Sequence, residues 1–178
     1  MQKRMIAKAT ELLNNGTVDR VLGWKTGEFF YDLTPAVFDS VSALEAKFVF
    51  NSFSGANLSK YLIAESRKPG KIAVFLKPCD SYSFTQLLKE HRILRENVYV
   101  IGVQCDGMCD IDKVRNIIGE GLLSVREDGN HLIAETFDTT KTIAKSDVLL
   151  ERCAVCKSKK IVTYDELIGE QGDVCESD

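Results

Sequence analysis

The segment Ile72-Ala-Val-Phe-Leu-Lys-Pro-Cys-Asp80 decides the fold of this chain. Its five apolar residues predict a buried strand, and the Lys-Pro-Cys-Asp that follows predicts a turn and the start of a helix. A second segment, Val98-Tyr-Val-Ile-Gly-Val-Gln-Cys105, repeats the pattern of an apolar run followed by a cysteine. Strands that alternate with helices indicate right-handed crossovers and a parallel sheet, whose loops after the strands meet at one edge. We therefore expect the two cysteines to lie close together.

The rest of the chain predicts helices around this sheet and a separate antiparallel addition. The further predicted elements are a helix over 2–15, a hairpin of strands 18–24 and 29–33, a strand over 48–53, a helix after Asn57, a helix capped by Asp80, a helix capped by Asp110 that buries Ile111, Val114, Ile117 and Ile118, a hairpin of 122–126 and 131–137, and a short helix over 145–151. The predicted fold class is α/β, with a mostly parallel central sheet, flanking helices and an added antiparallel hairpin. Residues 1–169 are expected to form a single α/β domain with a cysteine-rich metal site, followed by a flexible tail over 170–178.

The composition excludes several classes of function. With 178 residues, a net charge of −3 and a pI of about 5.5, the chain lacks the basic character of a general nucleic-acid binder. No apolar run approaches the ~20 residues that span a bilayer, and no apolar segment follows the basic start as in a secretory signal. We expect a cytoplasmic protein that neither inserts into a membrane nor binds nucleic acid.

Cysteine placement gives the strongest indication of function. In a reducing compartment, six thiols are more often ligands or redox groups than a disulfide framework, and this chain is long enough to fold without bridges. Cys153 and Cys156 form a CxxC pair, which lets two sulfurs face one centre. Cys79 and Cys105 would complete a set of four, and Cys109 is a fifth candidate ligand. Four thiolates suit either a Cys₄ zinc ion or a cubane iron–sulfur cluster.

The spacing favours the iron–sulfur cluster over zinc, which stays open as the alternative. Zinc sites usually use two CxxC-like pairs, whereas here two ligands would be single cysteines after separate strands. A thioredoxin-like dithiol is less favoured, because its CxxC follows an early strand. Lys77 and Arg152 add positive charge that favours thiolate, although the lysines of 157–160 taken alone are typical of a solvated surface. No GxGxxG or phosphate-loop motif occurs, so no motif supports a bound flavin such as FAD.

Three motifs taken together resemble a known family. They are Lys77-Pro-Cys-Asp80, Gly102-Val-Gln-Cys-Asp-Gly-Met108, and Arg152-Cys-x-x-Cys156 with Tyr164-Asp-x-Leu-Ile-Gly169. The chain resembles, over residues 57–169, the N-terminal domain of the deazaflavin-coenzyme hydrogenase/dehydrogenase β-subunits and their 4Fe–4S ferredoxin-like relatives. Such relatives commonly continue into a ferredoxin-type CxxCxxCxxxC segment. Residues 170–178 would then be either the start of a missing segment of that kind or the tail of a stand-alone module.

The resemblance implies an iron–sulfur electron-transfer subunit or domain, sometimes with flavin, in anaerobic metabolism. Its partners would be the other redox subunits of a hydrogenase, formate dehydrogenase or heterodisulfide-reductase-like complex. The residues that the resemblance assigns as cluster ligands are Cys79, Cys105, Cys153 and Cys156, with Lys77, Asp80 and Arg152 around them to orient or tune the site.

Three functions therefore remain open at the level of sequence. The first is an accessory redox subunit that holds a 4Fe–4S cluster and catalyses no reaction of its own. The second is a structural zinc-binding docking module of a larger oxidoreductase. The third is a flavin-dependent oxidoreductase that acts on a deazaflavin or a nicotinamide.

Overall fold

The computed structural model describes residues 1–170, which form two sheets and the helices around them. In chain order the elements are α1 (Gln2–Asn14), β1 (Arg20–Thr26), β2 (Leu33–Phe38), α2 (Val41–Lys47), α3 (Leu62–Glu65), β3 (Ile72–Leu76), α4 (Pro78–Lys89), β4 (Val98–Val103), α5 (Ile111–Ile118), β5 (Ser124–Asp128), β6 (His131–Glu135), β7 (Thr140–Ala144), α6 (Glu151–Ala154) and β8 (Glu166–Ile168), with short 3-10 helices at Ser59–Tyr61, Arg95–Asn97 and Lys145–Val148. The predicted tail from 170 onward and the sixth cysteine, Cys175, fall outside the described residues, except for Glu170.

The central sheet has the strand order β2-β1-β3-β4-β8, and only its β1–β2 pair is antiparallel. All five residues of β3 are buried, because a central strand covered on both faces needs apolar side chains in every position. Ile72 pairs with Val98 and Leu76 with Gly102, so β3 and β4 end side by side. The predicted α/β class with a mostly parallel sheet is confirmed.

Helices α4 and α5 follow β3 and β4 along the chain, and both begin near the edge of the sheet where these strands end. Helix α4 begins at Pro78 with Lys77 as its N-cap, so the prediction that Asp80 caps it is wrong. Proline at the first helical position has a φ angle already suited to a helix and starts it earlier, which leaves Asp80 inside the first turn. Asp110 does cap α5, since its carboxylate accepts a hydrogen bond from the Asp112 N–H at 2.9 Å.

Other predictions for individual elements need correction. The second arm of the first hairpin is Leu33–Phe38 rather than 29–33, because residues 27–32 form the connection. Residues 48–53 do not form a strand: apart from one bridge between Lys25 and Phe48 they turn away from the sheet. Their apolar side chains pack instead, as in the 5.3 Å contact between the rings of Phe48 and Phe75. Ile117 is 42% exposed and not buried, because α5 packs through Val114 and Ile118.

The second sheet contains three antiparallel strands in the order β5-β6-β7, so the predicted hairpin has a third strand. It has its own apolar cluster, formed by Phe53, Cys109, Val114, Ile118, Val125, Leu132, Ala134, Ile143 and Val148. The predicted helix over 145–151 is instead the 3-10 helix Lys145–Val148, with α6 beginning separately at Glu151. Among residues 1–170, none of the helices has the length and apolar character needed to cross a membrane.

Candidate metal centre

Four of the predicted cysteine ligands line one cavity at the edge of the central sheet where β3 and β4 end. This cavity, which we call the cysteine cavity, has a volume of about 480 Å³. The thiols around it belong to Cys79, Cys105, Cys153 and Cys156; the remaining lining residues are Gly55, Ala56, Asn57, Lys60, Lys77, Pro78, Asp80, Ser83, Gly107, Met108, Arg152, Ser158 and Lys159. Cysteines from three separate segments thus meet at one place, as the strand pattern predicts.

Each cysteine is positioned by a different local structure. Cys79 lies in the first turn of α4, and Cys105 lies in the loop that leaves β4. The CxxC pair lies on and just after α6, where the Cys156 N–H donates to the Cys153 carbonyl at 3.3 Å. The Leu150 N–H donates to the Met108 carbonyl at 2.8 Å and so ties the CxxC segment to the loop of Cys105. All five described cysteines are free thiols.

The structure does not bring Cys109 to this cavity. Cys109 is only 5% exposed and packs in the apolar cluster of the second sheet. Its backbone N–H donates to the Ser52 carbonyl at 2.7 Å, and Asp110 follows with a bond to the Val148 carbonyl at 2.7 Å. These contacts hold residue 109 on the side of the loop that faces the second sheet.

Burial raises the pKa of two thiols of the cavity, those of Cys79 and Cys105. Desolvation raises the pKa of Cys79 to about 12, although part of the residue is exposed, and the Asp80 carboxylate beside it raises this pKa further. Desolvation also raises the pKa of Cys105, while a hydrogen bond from the Gly107 backbone opposes that rise. Cys79 interacts electrostatically with Cys105, and Cys105 with Cys153. A metal that binds these thiols must therefore displace protons.

Lys77 is almost fully enclosed beside the cavity, with 2% of its surface exposed. Its ammonium donates hydrogen bonds to the Ser54 and Ala56 carbonyls, both at 3.0 Å. It lies 4.6 Å from the centre of the buried Trp24 ring and 2.9 Å from Asp80 Oδ2. The contact with Asp80 is an ion pair without hydrogen-bond geometry, since that oxygen has no hydrogen-bond partner.

The loop of residues 54–57 closes one side of the cavity and is held from two directions. Lys77 holds the loop from beneath through the two carbonyls, and Arg152 donates to the Gly55 carbonyl at 2.9 Å. At its end, the Asn57 side chain donates to Ser83 Oγ at 3.0 Å. The sequence predicts Lys77 and Arg152 as site residues but not this loop, because Ser-Gly-Ala-Asn indicates a turn without indicating where it packs.

Gly107 allows the backbone to approach the CxxC segment closely. Its φ of +106° lies in the region that favours glycine. A Cβ atom at this position would lie 2.8 Å from Leu149 Cδ2 and 3.8 Å from Cys153 Cβ. The turn signal in Cys-Asp-Gly-Met could have indicated this role, since glycine between two polar or functional residues often marks a special backbone conformation.

The donor set of the cavity fits an iron–sulfur cluster in its chemistry. Within residues 1–170, no three Cys, His, Asp or Glu side chains converge closely enough to hold a single metal ion. The ligands of a cubane bind four different irons and stand further apart than the four ligands of one zinc ion. The four thiols that line the cysteine cavity supply the number and type of ligands that such a cluster needs.

A second, larger cavity of about 800 Å³ adjoins the cysteine cavity. The two cavities share Cys105, Gly107 and Met108 in their walls. The larger one also contains aromatic and charged side chains, namely those of Phe30, Phe50, Asp106, Arg126, Glu127 and Lys145. The loop that leaves β4 thus separates a thiol-lined space from a wider space of mixed polarity.

Comparison with known proteins relates the chain to subunits of redox complexes. No model of a protein family matches it. A subunit named F420-dependent formate dehydrogenase subunit beta, from Methanocaldococcus jannaschii, is 27% identical over 190 residues, which cover 90% of this chain and 50% of that subunit. F420-dependent formate dehydrogenase 1 subunit beta of Methanococcus maripaludis is 35% identical over 100 residues, which cover 54% of this chain and 24% of that subunit.

The fold also matches a solved structure. A chain of the F420-reducing [NiFe] hydrogenase complex from Methanosarcina barkeri superimposes with a TM-score of 0.65 at 14% identity, covering 86% of this chain and 58% of that one. At that identity the match shows the fold alone. This chain spans half the length, or less, of the curated relatives it matches. The chain is therefore similar in sequence to part of the β-subunits of two F420-dependent formate dehydrogenases, and its fold is found in a hydrogenase complex.

Proposed function

We propose that this chain is an electron-transfer module that binds one [4Fe–4S] cluster through Cys79, Cys105, Cys153 and Cys156. The observation that carries this proposal is the meeting of four thiols, from three separate segments, around one cavity. Four cysteine thiolates are the ligand set of a cubane cluster. Homology to the β-subunit of a formate dehydrogenase supports a role within an oxidoreductase complex.

The residues around the cavity each have a part in holding such a cluster. A bound cluster supplies one-electron transfer, whose potential depends on burial and on hydrogen bonds to sulfur. The Gly107 backbone hydrogen-bonds the Cys105 sulfur, and Lys77 places a buried positive charge next to Cys79. The loop of residues 54–57 covers one side, where it limits access of water. Arg152 and Lys77 keep that loop in place.

The partners in this proposal are other redox subunits. The relatives are, by name, subunits of formate dehydrogenases, so the proposed module passes electrons between two partner centres rather than acting on a substrate itself. The chemistry at the ends of such a chain belongs to the partners and their cofactors. The module contributes the position and the potential of one centre.

Serine substitutions test the ligand assignment. Each of Cys79→Ser, Cys105→Ser, Cys153→Ser and Cys156→Ser is expected to remove the cluster after anaerobic reconstitution, seen as loss of the broad visible absorption and of bound iron. Cys109→Ser is the matched control, because residue 109 lies in the other apolar cluster. If Cys109→Ser loses as much iron as Cys105→Ser, Cys109 is a ligand and the assignment is wrong. A wild-type protein that binds one zinc and no iron would support the docking-module alternative.

A second candidate function has support from the larger cavity. Its volume of about 800 Å³ lies in the range of small-molecule sites, and it shares a wall with the cysteine cavity at Cys105. Arg126 and Lys145 would provide positive charge for the phosphates of a flavin nucleotide, which would compete with the ion pairs to Glu135 at 3.5 Å and Glu127 at 3.7 Å. A flavin there would make the chain part of a flavin-dependent oxidoreductase. Titration of the protein with FAD, followed by flavin fluorescence, should saturate at one equivalent if this function is correct and show no binding if it is not.

A further inference from the structure

Positive charge is concentrated at the mouth of the cysteine cavity. Lys60, Arg152 and Lys159 line it, and the exposed Lys157 and Lys160 lie in the same CxxC segment. Among residues 1–170, the only carboxylate in the cavity wall belongs to Asp80, which already faces Lys77 at 2.9 Å. The chain as a whole carries a net charge of −3. The cavity mouth is therefore a local exception to the overall charge.

The cations of this surface have no acidic partners in the part of the chain that the structure describes. Ion pairs elsewhere bring Lys8 to Glu166, Lys68 to Glu65 and Arg95 to Asp165. No carboxylate within residues 1–170 pairs with a cation of the mouth, that is, with Lys60, Arg152, Lys157, Lys159 or Lys160. Their charge is free to act on a molecule outside the chain.

The thiols reach the surface in a cavity that Lys60, Arg152 and Lys159 also line. Val155, between the two cysteines of the CxxC pair, is 77% exposed. Cys79 is exposed, and Cys153 and Cys156 are half-buried. In sequence this exposed apolar residue lies between Arg152 and Lys157, so the segment combines the apolar and charged side chains of a small transient interface. We call Val155 together with these five cations the basic mouth.

We propose that the basic mouth is the docking site of an acidic electron-transfer protein, one whose own redox centre lies behind a carboxylate-rich face. This inference rests on the proposed function. In the exchange, one electron would leave the reduced centre of the partner and reduce the oxidised [4Fe–4S] cluster that the four cysteines would hold, and no bond forms or breaks. Opposite charges raise the rate at which two proteins meet, and they orient the partner. Because the whole chain carries a net negative charge, an acidic partner would be attracted only where positive charge is concentrated, as it is at the basic mouth.

Charge reversal at the basic mouth tests this inference. The variant Lys157→Glu/Lys159→Glu/Lys160→Glu alters three cations that are not proposed ligands. The probe is an acidic [2Fe–2S] ferredoxin, whose electron exchange with the anaerobic, cluster-loaded protein is followed by stopped-flow absorbance. The bimolecular rate constant of the variant should fall at least about tenfold at low ionic strength. For the wild type this rate constant should fall as salt rises, and for the variant the salt dependence should be weak or reversed.

A matched control carries the same change of charge at the opposite edge of the sheet. The control, Arg67→Glu/Lys89→Glu/Arg92→Glu, replaces three exposed cations, of which Arg67 lies before β3, Lys89 ends α4 and Arg92 follows α4. It should keep most of the wild-type rate. Equal losses in both triple variants would overturn the docking site, since only net charge would then matter. An unchanged rate in the basic-mouth variant would also overturn it.

Two further readouts separate the remaining outcomes. Iron content is measured on every variant, so that loss of the cluster, which would count against the proposed function, is distinguished from loss of docking. Reduction by dithionite, a small anion, is measured in parallel. If its rate falls by the same factor as the ferredoxin rate, the basic mouth acts on any small anion and the docking of a protein is refuted.

Discussion

Replacement of Lys77 by methionine should strongly destabilise the protein. Methionine keeps the unbranched stem, so little packing is lost, but the ammonium and its contacts disappear. Those contacts are two hydrogen bonds to carbonyls at 3.0 Å, the Trp24 ring at 4.6 Å and Asp80 at 2.9 Å. Both charged residues are 2% exposed, so solvent cannot replace them.

The magnitude follows from the charge that is left behind. Removing one partner of a buried ion pair costs about 3–5 kcal/mol, because the other charge stays buried without compensation. Lys77→Met is expected to lower the free energy of unfolding by about this amount. Asp80→Asn should cost less, about 1–3 kcal/mol, since Lys77 keeps both carbonyl acceptors. In the double variant no charge is left alone, so the two effects should couple by at least about 2 kcal/mol.

Urea denaturation followed by far-ultraviolet circular dichroism measures all four members of this cycle on metal-free protein. The slope of the free energy against urea concentration should be the same for each member, which shows that the unfolding reaction is unchanged. A loss below about 1 kcal/mol for Lys77→Met would refute the reasoning. Strictly additive effects would refute it as well, because the pair would then not interact.

Two other substitutions test separate parts of the structure. Gly107→Ala should lower the free energy of unfolding by about 2–4 kcal/mol and weaken iron retention, because the added Cβ strains the backbone and lies 2.8 Å from Leu149. Gly16→Ala is the control, since its φ is also positive, at +72°, but no atom lies within 4 Å of the added Cβ. It should lower the free energy of unfolding by only about 1–2 kcal/mol. Equal costs would show that Gly107 has no close-approach role. Leu132→Ala, in the core of the second sheet, should cost about 2–5 kcal/mol in urea denaturation yet leave the iron content per folded chain unchanged. Loss of iron in that variant would show that the second sheet supports the cavity.

The central fold could be predicted because its strands are apolar throughout and its turns are strongly marked. The run Ile72–Leu76 is too short and too apolar for a surface helix, and the proline and cysteine after it mark its end. The elements whose positions were wrongly predicted are not bounded by such turn residues. Residues 48–53 have the composition of a strand, but the backbone N–H groups of residues 50–53 donate to side chains. The rings of this segment pack in the core, which only tertiary contacts decide. Strand β8 is three residues long and exists because β4 offers it a free edge.

Part of the candidate site could also be predicted from the sequence. The positions of Cys79 and Cys105 after neighbouring strands were enough to expect them at one edge, where the structure places them. The location of Cys109 was not predictable, because four residues after Cys105 the loop has already turned toward the second sheet. The loop of residues 54–57 reaches the cavity through bonds to Lys77 and Arg152, which are distant in sequence. No local pattern encodes such contacts.

The direct test of an iron–sulfur centre is the metal and acid-labile sulfide content of the protein after anaerobic purification, measured together with its visible spectrum. About four irons and four sulfides per chain are expected, with a broad absorption band that dithionite bleaches. One zinc per chain without sulfide would contradict the proposed electron-transfer role and identify the cysteine cavity as a structural site.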